Sequence, residues 1–378
     1  MDSAKPILQQ RLASLDILRG FDMWLLLMFG PIVGAFLNVC DSPSFDWLRV
    51  QTNHVSWEGF VLWDIIMPLF MFMSGVTIPF SMAKVKEQGP DKRFWLKLFK
   101  RVALLFFIGW IVQGNLLKFD FKLFHPFANT LQAIAVGYFF AALIYVFLDT
   151  KKQIAATAVP FALFLGAFAL TGMNLDPQNN IAMVVDKAVL GSHRDGVNWD
   201  GGTWSYASWY QYTWILSSLN FIVTVMLGCF SGQILKGMKK DAPASPKRAL
   251  QLAVLGAVLI IAALLLSLYF PIIKKIWSSS MTLYAGGISC LMLAFTYYIV
   301  DVKHWTKGIN WLKYFGMNSI FAYTVGEVIN FGSVSNSVFS GAARLCGAYG
   351  PVLIAAVNTF ILFFILRHLY RKNVFIRA

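Results

Sequence analysis

Residues 249–270 read ALQLAVLGAVLIIAALLLSLYF. No charge interrupts them, and a helix of about 20 such residues covers the hydrocarbon core of a bilayer. Outward from this stretch the pattern recurs. Nine further apolar segments lie at about 21–40, 59–80, 102–117, 127–148, 154–171, 212–232, 280–300, 312–330 and 350–367. The composition agrees: 58% of the 378 residues are hydrophobic, 13% are charged, and mean hydropathy is +0.62. An ordinary soluble domain carries about 25% charged residues, so a soluble globular protein is excluded. With 34 Phe, 13 Trp and four Cys, so are disorder and a disulfide scaffold. The expected fold is all-α: one domain over 1–378, a polytopic membrane helix bundle of about ten transmembrane helices.

The net charge of +14 does not point to nucleic acid. Its charges sit between apolar runs, where membrane topology is read, and no zinc-finger spacing or basic helical arm accompanies them. With the N-terminus cytoplasmic, inner regions hold 24 Lys and Arg and outer loops hold 8, the 32 of the whole chain. This asymmetry favours a cytoplasmic N-terminus, a cytoplasmic C-terminus and an even number of spans. The first segment resembles a signal anchor without a small-x-small cleavage site, and is expected to stay. The stretch 236–248, KGMKKDAPASPKR, reads as a flexible linker between two helical halves. The longest outer loop, about 172–211, is rich in Gly, Asn, Asp, Trp and Tyr. That composition suits a sugar ligand or a solvated cap equally. Cys40, Cys229, Cys290 and Cys346 form no CxxC. They are expected to be buried, inert thiols, although Cys40 and Cys346 both fall near outer ends. No metal-ligand spacing, Walker loop, GxSxG or HExxH is present.

Ionisable groups inside spans are costly and face a cavity or a partner. Asp22, Asp64 and Glu327 are the cases, with Asp16, Arg19, His54 and Glu58 just beyond span ends. The stretch 53–81, NHVSWEGFVLWDIIMPLFMFMSGVTIPFS, is the most informative. On a helix His54 neighbours Trp57 and Glu58, and a carboxylate beside a histidine orients its ring. The bland alternative is an interfacial helix cap. Asp64 lies ten residues on, about 15 Å along a straight helix. It is therefore not expected to orient His54, but to serve as a hydrogen-bonding node on the face of Trp57. Asp16 and Arg19 read as an interfacial ion pair, or as an anchor for a phosphorylated cofactor. Gln132, Lys274, Trp277 and Asn318 are unusual polar or interfacial groups that can equally be interhelical glue.

These segments resemble one family. RLASLDILRGFDM (11–23), HVSWEG (54–59) with Asp64, Pro68 and Gly75, LQAIAVGY (131–138), NNIAMVVDKAVLGSH (179–193), TVMLGCFSGQIL (224–235), PIIKKIWSSS (271–280) and FGMNSIFAY (315–323) are similar, in this order, to motifs of the transmembrane acetyltransferases related to heparan-alpha-glucosaminide N-acetyltransferase. The chain looks like a bacterial-type form without a large extra N-terminal domain. The resemblance implies transfer of an acetyl group from cytoplasmic acetyl-CoA, a co-substrate, to an amino sugar or sugar hydroxyl on the outer side. It implies His54 as the active histidine. Trp57, Glu58, Asp64, Gln132, Lys274, Trp277, Ser280 and Asn318 would support the site or bind substrate. Gln132, Ser280 or Asn318 would be hydrogen-bond donors to an oxyanion. Arg19, Lys100 and Arg101 would form a basic mouth for the polyanionic coenzyme, or, for Lys100 and Arg101, simply the basic anchor of a cytoplasmic loop, the favoured reading. The chain departs from the family pattern at Gly30, Ala133 and Ile273, where Asn, Arg and Asn are common. The expected partners are the lipid bilayer and a sugar or glycan acceptor, with a homodimer left open, and the expected location is the bacterial inner membrane. The rival readings are a transporter of a small sugar or organic anion, disfavoured by the lack of a visible internal repeat, and a scaffold without catalysis.

Overall fold

The computed structural model describes residues 12–114, 116, 119–237, 244–329 and 331–376. Helices dominate. In chain order they are α1 (Ala13–Val39) and α2 (Leu62–Ser81), α3 (Lys92–Val112), α4 (Thr130–Phe147), α5 (Thr150–Leu170), α6 (Ile181–Leu190), α7 (Ser218–Lys236), α8 (Pro246–Ser267), α9 (Ser279–Val302), α10 (Ser319–Val328), α11 (Phe331–Leu345) and α12 (Gly350–Arg371). Eight helices among the described residues are long and apolar enough to cross a membrane: α1, α2, α4, α5, α7, α8, α9 and α12. They match eight of the expected segments. The segment expected at 102–117 begins ten residues earlier, as α3, because Asp91 caps it by accepting the Phe94 N–H at 2.8 Å. Its first half therefore carries Lys92, Arg93, Lys97, Lys100 and Arg101. The segment expected at 312–330 is broken. A short helix, Leu312–Gly316, ends at Met317, and α10 restarts after Asn318.

The chain forms two compact units. The first takes the described residues up to 52, those from 244 to 255 and those from 290 onward; the second takes 53–237 and 256–289. In the first unit Leu312–Gly316 packs on the first half of α1, and α12 packs on α11 and the second half of α1. Asp301 accepts the Ala13 and Ser14 N–H groups and caps α1. In the second unit α7 packs on α2, α4 and α5, and α3 packs on α4. The contact of α2 with α7 is set by glycines. A Cβ on Gly75 would lie 1.9 Å from the Val225 carbonyl oxygen, and one on Gly228 would lie 1.9 Å from that of Phe72. Small residues let membrane helices approach to backbone contact.

The stretch 172–211 is not a plain loop. It holds α6, capped by Asn180, and a hairpin of β1 (Val197–Asp200) and β2 (Thr203–Tyr206) in antiparallel register Val197↔Tyr206 to Asp200↔Thr203. Gly201, at φ +58°, makes its two-residue turn. The fold is thus not strictly all-α. Of the stretch read as a linker, residues 238–243 lie outside the described residues; α7 ends on its first residue, Lys236, and α8 begins within it at Pro246. The four cysteines are free. Cys229 and Cys290 are buried as expected, whereas Cys346 is exposed and Cys40 half-buried.

Candidate active site

The site grows from a departure from helical geometry. Residues 53–61 form no helix. Glu58 pairs as an antiparallel bridge with Ile273, and the Gly59 N–H donates to the Ile272 carbonyl at 2.9 Å. Gly59 sits at φ +118°, a conformation open to glycine. The chain then enters α2 through a tight turn, Leu62–Ile65. Asp64 lies in that turn, and its Oδ2 accepts the Val61 N–H at 3.2 Å. This fold-back carries His54 onto the start of α2, where its Nδ1 lies 2.7 Å from Asp64 Oδ1. The expected separation of about 15 Å is therefore wrong, because the segment is not a straight helix. Asp64 orients His54, and the expected i, i+4 pairing with Glu58 has no helix to support it. Trp57, read as sharing a helix face with Asp64, instead packs on Phe164, Phe168, Phe270, Ile273 and Ile276.

Lys274 completes the cluster. Its Nζ lies 3.3 Å from Asp64 Oδ1 and 3.3 Å from His54 Nδ1. Asp64 is fully buried and the Lys274 side chain only 7% exposed, while that of His54 is 41% exposed. The ammonium compensates the buried carboxylate. With a carboxylate at 2.7 Å, Nδ1 must carry the proton and donate it. The other ring nitrogen, Nε2, then keeps its lone pair.

The loop that brings Lys274 is held from several sides. Ser278 Oγ accepts the N–H groups of Ile273 and Met281 and donates to the Pro271 carbonyl, to which Ser280 Oγ also donates at 2.8 Å. The Thr213 N–H donates to the Lys275 carbonyl, Ser217 Oγ to that of Ile276, and Asn220 Nδ2 to that of Trp277. Trp277 is buried at φ +54°, and its Nε1–H donates to Thr224 Oγ1. A bulky residue at positive φ is a strained conformation that the surroundings must enforce. Nearby, Lys275 Nζ donates to Gln211 Oε1 at 2.7 Å, and burial pulls its pKa down against the field of Asp64. Asp186, at the far end of these contacts, accepts the Trp214 and Ile215 N–H groups. Burial raises its pKa to about 6, outweighing those two bonds and the field of Arg194.

Of the expected site residues, His54, Asp64 and Lys274 come together, with Trp277 and Ser280 shaping the Lys274 loop. Ser280 does so with its hydroxyl proton committed to Pro271. Asn318 is engaged elsewhere, in the first unit: its Nδ2 donates to the Val374 carbonyl and its Oδ1 accepts the Ile376 N–H. It is buried, and one of its two amide N–H donors is spent on Val374. Gln132 Oε1 caps the start of α4 by accepting the Ala128 and Asn129 N–H groups. Arg19 lies in the first unit, paired with Asp16 at 3.9 Å. Lys100 and Arg101 lie in the second, Lys100 exposed and Arg101 stacked 4.0 Å over the Tyr138 ring. Sequence reasoning missed Ser278, Thr213, Ser217 and Asn220. Only the density of hydroxyls in the run from 277 to 280 hinted at a built loop.

No family model matches the chain. Heparan-alpha-glucosaminide N-acetyltransferase of Mus musculus is 26% identical over 329 residues, 73% of this chain and 49% of the relative. The protein of the same name from Homo sapiens is 24% identical over 370 residues, 85% of this chain and 53% of the relative. The chain is a distant relative of these acetyltransferases. It spans about half the length of the curated relatives it matches. The departures from that family's motifs have definite places: Gly30 follows a π-helical turn in α1, and Ala133 and Ile273 are fully buried.

Proposed function

We propose that this chain is a membrane-embedded acetyltransferase whose reactive atom is His54 Nε2. Acetyl-CoA is the donor, and an amino sugar or sugar hydroxyl on the outer side of the membrane is the acceptor. The observation that carries the reading is the Asp64–His54 contact, which assigns the proton to Nδ1 and leaves Nε2 with a lone pair on a half-exposed ring beside a buried ion pair. An imidazole held this way acts as base or nucleophile, and its carboxylate stabilises the positive charge that forms on the ring. As nucleophile, Nε2 attacks the thioester carbonyl, the C–S bond breaks and coenzyme A leaves as a thiolate. The acceptor then attacks the acetyl carbon, loses its proton and releases Nε2. As base, Nε2 takes the acceptor's proton while the acceptor attacks the thioester directly. Lys274 keeps the Asp64 carboxylate compensated throughout. The 24 to 8 division of basic residues supports an outer position for His54 and cytoplasmic termini. A bacterial cytoplasmic membrane is the proposed location.

The test is purified protein with acetyl-CoA, with and without glucosamine or a panel of neutral sugars, measuring free thiol. Thiol release that depends on a sugar supports the reading. No sugar-dependent release from well-folded protein overturns it.

A further inference from the structure

Glu327 belongs to the unit that does not contain His54. It sits near the end of α10, exposed on an apolar segment, where a carboxylate facing lipid is expensive and calls for a partner. A cavity of about 120 Å³ opens beside it, walled also by Leu26, Leu27, Pro31, Asn358 and Thr359. No Lys or Arg is among its wall residues. Three polar side chains, Glu327, Asn358 and Thr359, stand in an otherwise apolar wall, and each carries an acceptor oxygen. Thr359 is buried, and its hydroxyl uses its proton on the Ala356 carbonyl at 2.9 Å, so its oxygen faces other partners only as an acceptor. Pro31 follows the π-helical turn Leu25–Phe29. Lacking an N–H, it leaves a carbonyl in the turn before it, where Leu26 and Leu27 lie, without a helical donor. A π turn inside a long helix is itself a frequent mark of a binding site. Asn358 adds an amide oxygen.

One carboxylate, a freed backbone carbonyl, a hydroxyl oxygen and an amide oxygen call for a positive, oxygen-seeking guest. A single negative charge matches a monovalent cation better than a divalent one. Carbonyls released where a membrane helix is interrupted are a recurrent source of such ligands. The cavity is larger than a bare ion and has room for a few waters, which need about 30 Å³ each in the liquid. We propose that Glu327, Thr359, Asn358 and the carbonyl freed by Pro31 bind a partly hydrated sodium ion. Sodium binding here does not depend on the proposed acetyl transfer.

The experiment is thermal unfolding of the purified full chain in detergent. Sodium chloride is raised against N-methyl-D-glucamine chloride at constant ionic strength. Binding to the folded state alone produces a saturable rise in Tm. Wild type and His54→Ala should both show it, and Glu327→Gln should lose it. Thr359→Val should move the half-saturating sodium concentration up by about tenfold, as loss of one ligand does. A wild type with no saturable rise, or a rise undiminished in Glu327→Gln, overturns the proposal. If Glu327→Gln does not fold, Thr359→Val decides: an unchanged half-saturation overturns it.

Discussion

At the scale of single residues, one side chain is oriented by another. The 2.7 Å contact of His54 Nδ1 with Asp64 Oδ1 makes Asp64 a positioning residue rather than a remote node. In Asp64→Asn the amide can turn its NH₂ toward the ring, so that Nε2 carries the proton and loses its lone pair. Turnover should fall about 10²–10⁴-fold with little change in acceptor KM, as expected when an imidazole is held in the wrong tautomer. Retention of more than half the wild-type kcat in folded protein would return Asp64 to a purely structural role. Lys274→Met should destabilise by about 3 kcal/mol, because it leaves a buried carboxylate uncompensated. Adding Asp64→Asn to it should recover part of that loss in a double-mutant cycle. The chemistry-bearing types were legible in the sequence at this scale, but their juxtaposition was not. The ten-residue spacing of His54 and Asp64 means about 15 Å only on a straight helix. The bridge from Glu58 to Ile273, which prevents that helix, joins positions more than two hundred residues apart.

At the scale of elements, close approach and capping decide what stands where. The Gly228 Cα faces the Phe72 carbonyl so closely that any side chain must push α7 off α2. Gly228→Ala should therefore cost about 3 kcal/mol or more, the upper range for overpacking. It should show as loss of the monodisperse peak on size-exclusion chromatography, and a normal peak with wild-type Tm would contradict the packing described. Asp186 ties the segment at 214–215 to α6. Its folded-state pKa, about 6, lies above the ordinary 3.8. Between these values the folded protein binds the extra proton, so this group's contribution to stability is full at low pH and is lost as pH rises through 6. Asp186→Asn should flatten the decline in Tm between about pH 4 and pH 6, and a variant with the wild-type slope would refute the assignment. Helix positions were largely readable from hydropathy. The break at Met317–Asn318 was not, because its cause is the grip of Asn318 on Val374 and Ile376, a contact across dozens of residues. The start of α3 was misplaced because hydropathy marks the apolar half of a helix, whereas Asp91 marks where its hydrogen bonds begin.

At the scale of the whole molecule, composition and charge asymmetry carry the most. They fix a helical membrane protein before any contact is known, and the 24 to 8 distribution is the basis of the proposed orientation. In a background with the native cysteines replaced by serine, a cysteine at Gly202 in the hairpin turn should react with an impermeant thiol reagent added from outside. One at Gln88, between α2 and α3, should react only after the membrane is opened; the reverse pattern would invert the orientation. Identity with the curated relatives is 24–26% over most of the chain, which makes His54 the point on which the functional account turns. The most direct measurement is the sugar-dependent acetyl-transfer rate of purified His54→Ala against wild type, at matched Tm. The account predicts a loss of at least about 10²-fold in protein that still folds, because Lys274 continues to compensate the Asp64 carboxylate and a half-exposed ring contributes little packing. A wild-type rate in His54→Ala would contradict it.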